Sequence, residues 1–193
     1  MDIQSQSKWN NIYVEANISP DNITRGLFEN QHLLPSKGKA LDLACGKGAD
    51  AIFMASHGLN VDAWDISDRV IEKLSDYASD NKLSISAKVK DVVESPPPAE
   101  EYDVISVSHY LDRSIIPDLI LSLKTEGIII YQTFTQLVTP TYSGPSNPGF
   151  RLKDNELLSL FKGLKVIVYH EESLLGDVSK GLRNEALLIA QKV

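Results

Sequence analysis

The sequence predicts an α/β protein: a mainly parallel β-sheet with helices on both faces. Short apolar runs bounded by turn residues alternate with stretches of helical period, and a glycine-rich turn, "ACGKGADA", leaves the first such run. No internal repeat or long low-complexity segment divides the 193 residues, a length that one hydrophobic core can serve.

Taken in order, residues 5–16 and 22–33 read as two helices, the first placing Trp9, Ile12 and Tyr13 near one face. Strands follow over 39–44 and 60–65, separated by a helix over 49–57 whose apolar positions are 51, 52 and 55. A helix over 67–79 leads to a strand over 84–91, and "SPPPAEE" at 95–101 reads as a rigid surface loop. A fourth strand over 102–108 precedes a helix over 114–124, in which Ile115, Ile116, Leu119, Ile120 and Leu123 recur at helical spacing. The fifth strand, 127–134, runs into a long Pro/Gly-punctuated stretch at 139–150. A helix over 153–164 and strands over 165–171 and 184–193 complete the chain. No helical pattern joins those last two strands, which permits an antiparallel ending to the sheet.

Composition excludes several classes. With a formal net charge of −7 and no Lys/Arg cluster, the chain lacks the phosphate attraction that non-specific nucleic-acid binding requires. No apolar run approaches the ~20 residues of a membrane helix, and the amino terminus has no signal-peptide pattern, so a cytoplasmic, non-membrane protein is expected. Cys45 is the only cysteine and the four histidines lack ligand spacing, so no metal site is predicted.

The glycine turn implies a ligand at the carboxyl ends of the strands, where Gly46 and Gly48 let the backbone approach it and the next helix offers free N–H groups. Residues 46–51 also satisfy GxGxxA, and Asp65 ends the second strand, a combination that suits nicotinamide dinucleotides and other nucleosides alike. Asp42 separates these possibilities, because a carboxylate buried in the first strand needs a cation or hydrogen-bond donors. Asp50, in the first helical turn, would repel a pyrophosphate. A cationic ligand meets neither difficulty.

The stretch "ALDLACGKGADAIFMASHGLNVDAWDIS", with "YDVISVSHYLD", "GIIIYQTF" and "FRLKDNELLSLFKGLKVIVYHEE" in the same order, resembles the class I S-adenosylmethionine-dependent methyltransferases, most closely the tellurite-resistance (TehB-like) group. The resemblance implies a Rossmann-like sheet of seven strands with the last reversed, in a single domain over 1–193: a helical lid over 1–35 and a core over 36–193. It implies that Asp42, Ala44, Gly46 and Gly48 line the methionine part of S-adenosylmethionine, with Cys45 in the same turn as a packing residue. Asp65 would accept from the ribose hydroxyls, Ile66 pack on the adenine, and Asp91 with Val92 lie near the adenine amino group. Ser108 would face the cofactor from the fourth strand, and Trp9 and Tyr13 would cover it. Ala44 stands where many members have glycine, a small addition expected to be harmless.

The acceptor side is less legible. His109, Tyr110 and Arg113 leave the fourth strand beside the expected methyl group and are the candidate catalytic residues. His109 suits a general base or an anion contact, and Arg113 suits an anionic acceptor or a surface pair with Asp112 or Asp118. Tyr142, Asn147, Arg151 and, more weakly, Arg183 are candidates to close the acceptor pocket. No Asn/Asp-Pro-Pro-Tyr motif ends the fourth strand, so the expected acceptor is a small molecule, such as a tellurite- or selenite-like oxyanion or another soft nucleophile. The expected oligomeric state is a monomer or homodimer. A nucleoside-binding protein without turnover and a nicotinamide-dependent oxidoreductase are the competing classes.

Overall fold

The structure, a computed structural model, describes residues 2–140, 142 and 144–193. Seven strands form one sheet: β1 (Gly38–Leu43), β2 (Leu59–Asp65), β3 (Ile85–Val89), β4 (Tyr102–Ser108), β5 (Leu123–Phe134), β6 (Lys165–His170) and β7 (Glu185–Gln191), in the order β3-β2-β1-β4-β5-β7-β6. Every pairing from β3 to β5 is parallel, and β7 is antiparallel to both neighbours. The chain reverses only after β6, where no helix of the described residues makes a crossover, and β7 slots between β5 and β6.

The helices are α1 (Ile3–Ile12), α2 (Arg25–Glu29), α3 (Ala49–Ser56), α4 (Asp68–Asp80), α5 (Ile116–Ser122) and α6 (Glu156–Leu160). Period-two alternation along β1 sends Leu41 and Leu43 to one face and Ala40 and Asp42 to the other. The first face, with Ile105, Val107, Ile129 and Tyr131, buries against Ile116 and Leu119 of α5 and Leu157 of α6. The second, with Val61, Ala63, Val104 and Ile130, buries against Ile52 of α3 and Val70 and Leu74 of α4. Among the described residues no helix joins β3 to β4, so Ser86 and Lys88 of β3 stay exposed, and Lys88 pairs with the buried Asp62 at 3.1 Å. No helix of the described residues is long and apolar enough to cross a membrane.

Four predicted helices are corrected. The first, expected over 5–16, runs over Ile3–Ile12, and the one expected over 153–164 is reduced to Glu156–Leu160. The one expected over 22–33 shrinks to α2 and a 3₁₀ turn at Gln31–Leu33, because Asn30 Nδ2 donates to the Gly26 carbonyl and closes the helix end. The one expected to reach residue 124 stops at Ser122. Backbone N–H groups of Glu100 and Glu101 take the Leu121 and Ser122 carbonyls, and Leu123 is drawn into β5 opposite Tyr102. Leu123, expected at a helical position, is fully buried as a strand residue.

Candidate active site

The strand order reverses between β1 and β4, and the carboxyl ends of those strands open the crevice where α/β sheets take ligands. The turn leaving β1 is left-handed at Ala44 (φ 56°), Gly46 (φ 49°) and Gly48 (φ 74°). Ala44, expected to be a harmless addition, sits in a conformation that costs an L-residue about 1–2 kcal/mol. Glycine at 46 also leaves room above the turn, since a Cβ there would lie 2.9 Å from the Tyr13 hydroxyl.

Three carboxylates surround this turn. Asp42 is 1% exposed; its Oδ2 accepts from the Ala51 N–H at 2.9 Å, while its Oδ1 is buried with no hydrogen-bond partner among the described residues. Burial, reinforced by Asp50, pushes its carboxyl well above the usual range. Asp50 accepts from Thr24 N–H (2.8 Å), Thr24 Oγ1 (2.7 Å) and Ser106 Oγ (3.1 Å), yet burial still raises it. Asp65 accepts from Gly46 N–H at 3.0 Å and Ser67 N–H at 2.9 Å, and burial raises it too. Raised folded-state values mean that the folded chain holds protons the unfolded chain has released. Stability is then full below the ordinary carboxylate pKa and falls as pH rises toward the shifted values. The ligand-free protein should therefore gain melting temperature on acidification from neutrality toward about pH 5, and Asp42→Asn should flatten that gain; thermal melts across pH check both.

The amino-terminal helix lies over the same ground. The N–H of Asp2 donates to Asp91 Oδ2 (3.0 Å), Gln6 Nε2 to the Ile66 carbonyl (3.1 Å), and Ser67 Oγ to Asn10 Oδ1 (2.6 Å). Lys73 Nζ takes the carbonyls of Tyr13, Val14 and Ala16 and so ties the end of α1 to α4. Trp9 and Tyr13 stack with centroids 5.7 Å apart, and no residue of α1 is fully buried. The helix is held by polar contacts to the segments that carry Asp65, Ile66 and Asp91. Val92 is buried in the core beside them, and Ser108 ends β4 half-buried. The Cys45 thiol is buried and pushed up by that burial, in keeping with a packing role.

On the far side of the crevice, His109 stacks on Phe134 (4.8 Å) and its Nε2 lies 3.2 Å from Glu185 Oε1. Tyr142 meets the edge of Phe134 at 6.0 Å, and the Arg151 guanidinium lies 5.6 Å from the Tyr142 ring. Tyr110 packs partly buried against the core cluster that holds Leu111 and Tyr131, and burial, with Asp112, Asp91 and Asp65, raises its phenol. Glu185 and Gln132 carry no motif and were not singled out in the sequence.

Arg113 departs from the expectation. It pairs with neither Asp112 nor Asp118 but grips Glu156 with Nε (2.6 Å) and Nη2 (2.9 Å), and it also donates to the Gly149 and Arg151 carbonyls. A fork committed this way holds the 149–156 segment against the end of β4 and leaves little for a substrate. Arg113→Lys should keep the charge, lose the two-pronged geometry and raise protease cleavage within 144–156 several-fold; equal cleavage would deny the clamp. Arg183 is likewise spent on the carbonyls of Glu172, Ser173, Asp177 and Lys180. Asn147 caps the short 3₁₀ turn at Pro148–Phe150 through Gly149 N–H. Among the described residues no group of His, Cys, Asp and Glu is arranged to hold a metal.

This sheet order, with the left-handed glycine turn after β1 and the acid ending β2, defines the Rossmann-like fold of the class I methyltransferases. The chain belongs to the family described as tellurite resistance protein TehB, whose model matches residues 22–186. It is 26% identical over 147 residues to a probable S-adenosyl-L-methionine-dependent methyltransferase TehB of Haemophilus influenzae, covering 74% of this chain and 50% of the relative. It is 30% identical over 112 residues to a ubiquinone biosynthesis O-methyltransferase of Rickettsia akari, covering 55% of this chain and 43% of that protein. The chain thus spans about half the length of the curated relatives it matches. The crystal structure of TehB from Haemophilus influenzae superposes with a TM-score of 0.74 at 21% identity, over 96% of this chain and 67% of that one.

Proposed function

We propose that this chain is an S-adenosylmethionine-dependent methyltransferase acting on a small-molecule acceptor. The observation that carries the reading is Asp42 Oδ1, a buried carboxylate oxygen without a partner beside a glycine turn. An orphaned buried anion is costly unless its ligand brings the positive charge, and the cofactor's α-ammonium group does so. In this reading Asp42, Ala44, Gly46 and Gly48 hold the amino acid part, Asp65 the ribose, Ile66, Asp91 and Val92 the adenine, and Trp9 and Tyr13 cover the site. Ser108 and the Tyr110 ring border the same ligand.

When bound, the cofactor supplies an electrophilic methyl group on a sulfonium. The protein's part is alignment, exclusion of water and, where the acceptor carries a proton, its removal. His109, Phe134, Tyr142 and Arg151 form the acceptor wall. Family membership favours a tellurite- or selenite-like oxyanion or another soft nucleophile as acceptor, and residues 1–193 are read as one domain with 1–35 as its lid.

Calorimetric titration with S-adenosylhomocysteine should give micromolar binding where NADH gives none; the reverse preference would return the site to the dinucleotide reading. Tellurite, selenite and a catechol offered with methyl-labelled cofactor then test turnover. Binding should also shift protons, because burial raises the Asp42 carboxyl and the ammonium group would lower it. The apparent binding enthalpy should then vary with the buffer's ionisation enthalpy, and Asp42→Asn should remove that variation.

A further inference from the structure

The carboxyl ends of β4, β5 and β7 carry a chain of hydrogen bonds whose direction is set at one end by a backbone amide. Gly26 N–H, in the first turn of α2, donates to Gln132 Oε1 at 2.7 Å. An N–H group only donates, so that end of the Gln132 amide is its oxygen, and Nε2 must be the end that donates to Glu185 Oε2 at 2.6 Å. Glu185 accepts at both oxygens, its Oε1 lying 3.2 Å from His109 Nε2. A carboxylate facing Nε2 requires the ring proton on that nitrogen. Nδ1 makes no hydrogen bond among the described residues, and the His109 side chain is 48% exposed in the crevice.

The surroundings hold this chain in place. Gln132 is 3% exposed, and its backbone carbonyl also accepts from His109 N–H at 2.9 Å. Residue 26 must be glycine for the amide to reach Gln132, since a Cβ there would lie 2.4 Å from Leu187 Cδ1 and 2.9 Å from Gln132 Oε1. Phe134, paired in register with Glu185, supplies the surface on which the imidazole stacks. His109 itself sits at φ 55°, a left-handed conformation that turns its side chain out of the strand. The acidic groups that bear on the ring are Glu185 from β7 and Asp50 from α3, and the Glu185 hydrogen bond raises the imidazole above its ordinary value.

We propose that Glu185 and Gln132 are positioning residues that fix His109 as the Nε2–H tautomer and present a free, basic Nδ1 to a protic methyl acceptor. The proposal rests on the methyltransferase reading for its substrate and on this geometry for its tautomer. The acceptor's X–H bond breaks, its electron pair stays on X for the methyl group, and the proton goes to Nδ1, giving an imidazolium whose Nε2–H remains on Glu185. The acceptor class that needs this service arrives protonated: a hydroxyl, a thiol or a hydrogen-oxyanion.

The test is a two-bond ¹H–¹⁵N correlation on the full chain with ¹⁵N-labelled histidine rings, followed over about pH 5 to 9. His109 should show its neutral proton on Nε2 and titrate above the ordinary ~6.5. Glu185→Gln should lower its proton affinity by about tenfold, one pH unit, and Gln132→Leu should mix the two tautomers. His32, His57 and His170 report whether each variant has folded; if Glu185→Gln has not, the wild-type tautomer and Gln132→Leu decide. A proton on Nδ1 in the wild type, or an unchanged titration in a folded Glu185→Gln, would overturn the proposal. S-adenosylhomocysteine titrated into the same wild-type sample is read separately. Failure to bind removes the methyltransferase reading and leaves the tautomer result standing.

Discussion

Asp65→Ala is expected to weaken S-adenosylhomocysteine binding at least a hundredfold while leaving the protein folded. The carboxylate ends β2 at 7% exposure, and the two ribose hydroxyls of the proposed ligand would donate to it. Hydrogen bonds to a charged group contribute about 1.5–3 kcal/mol each, so losing two amounts to two orders of magnitude or more. Global stability should survive, because burial already disfavours the Asp65 charge in the ligand-free chain. Asp65 also accepts from Gly46 N–H, so alanine removes a brace of the turn, whereas Asp65→Asn keeps a carbonyl oxygen for that bond and isolates the loss of charge. Calorimetry on both variants checks this. Affinity within threefold of wild type in both would place the ribose elsewhere and remove the basis for the cofactor assignment.

Gly48→Ala is expected to destabilise the fold by about 2–5 kcal/mol, from about 1–2 for a left-handed L-residue and about 1–3 for overpacking. Gly48 caps α3 at φ 74°, and a Cβ would stand 2.5 Å from Leu74 Cδ1, a fully buried side chain of α4. Such a loss is a large share of the stability of a chain this size. Urea denaturation gives the number, and Gly48→Ala with Leu74→Ala gives its origin. The double variant should be more stable than the two single losses summed, because the clash disappears while the backbone strain remains. Strict additivity would mean that the Leu74 contact contributes nothing.

The sequence was sufficient wherever a residue's role depends on its neighbours in the chain. The strands were legible because apolar runs ended at turn residues, and the ligand end of the sheet because two glycines followed a strand that contained an acid. Asp42 could be identified before any coordinates because a carboxylate in an apolar strand conflicts with its own surroundings. The helix over 22–33 and the end of α5 were misjudged because the deciding contacts, Asn30 to the Gly26 carbonyl and Leu123 against Tyr102, compete with local helical period.

Only the tertiary structure brings together the proposed acceptor wall. Arg113 meets Glu156 43 positions away and His109 meets Glu185 76 positions away, separations at which no periodicity or motif relates one side chain to the other. The Thr24 hydroxyl goes to Asp50, 26 positions away at the start of α3. Glu185 acquires its partners because β7 enters the sheet antiparallel between β5 and β6, setting its first residue beside Phe134. The sequence by itself determined the sheet, the glycine turn and the acids around it, because each is encoded by adjacent residues. Pairing across the sheet determined which polar groups meet at the proposed acceptor side, because hydrogen bonds between distant segments form only once the core has fixed the strand order.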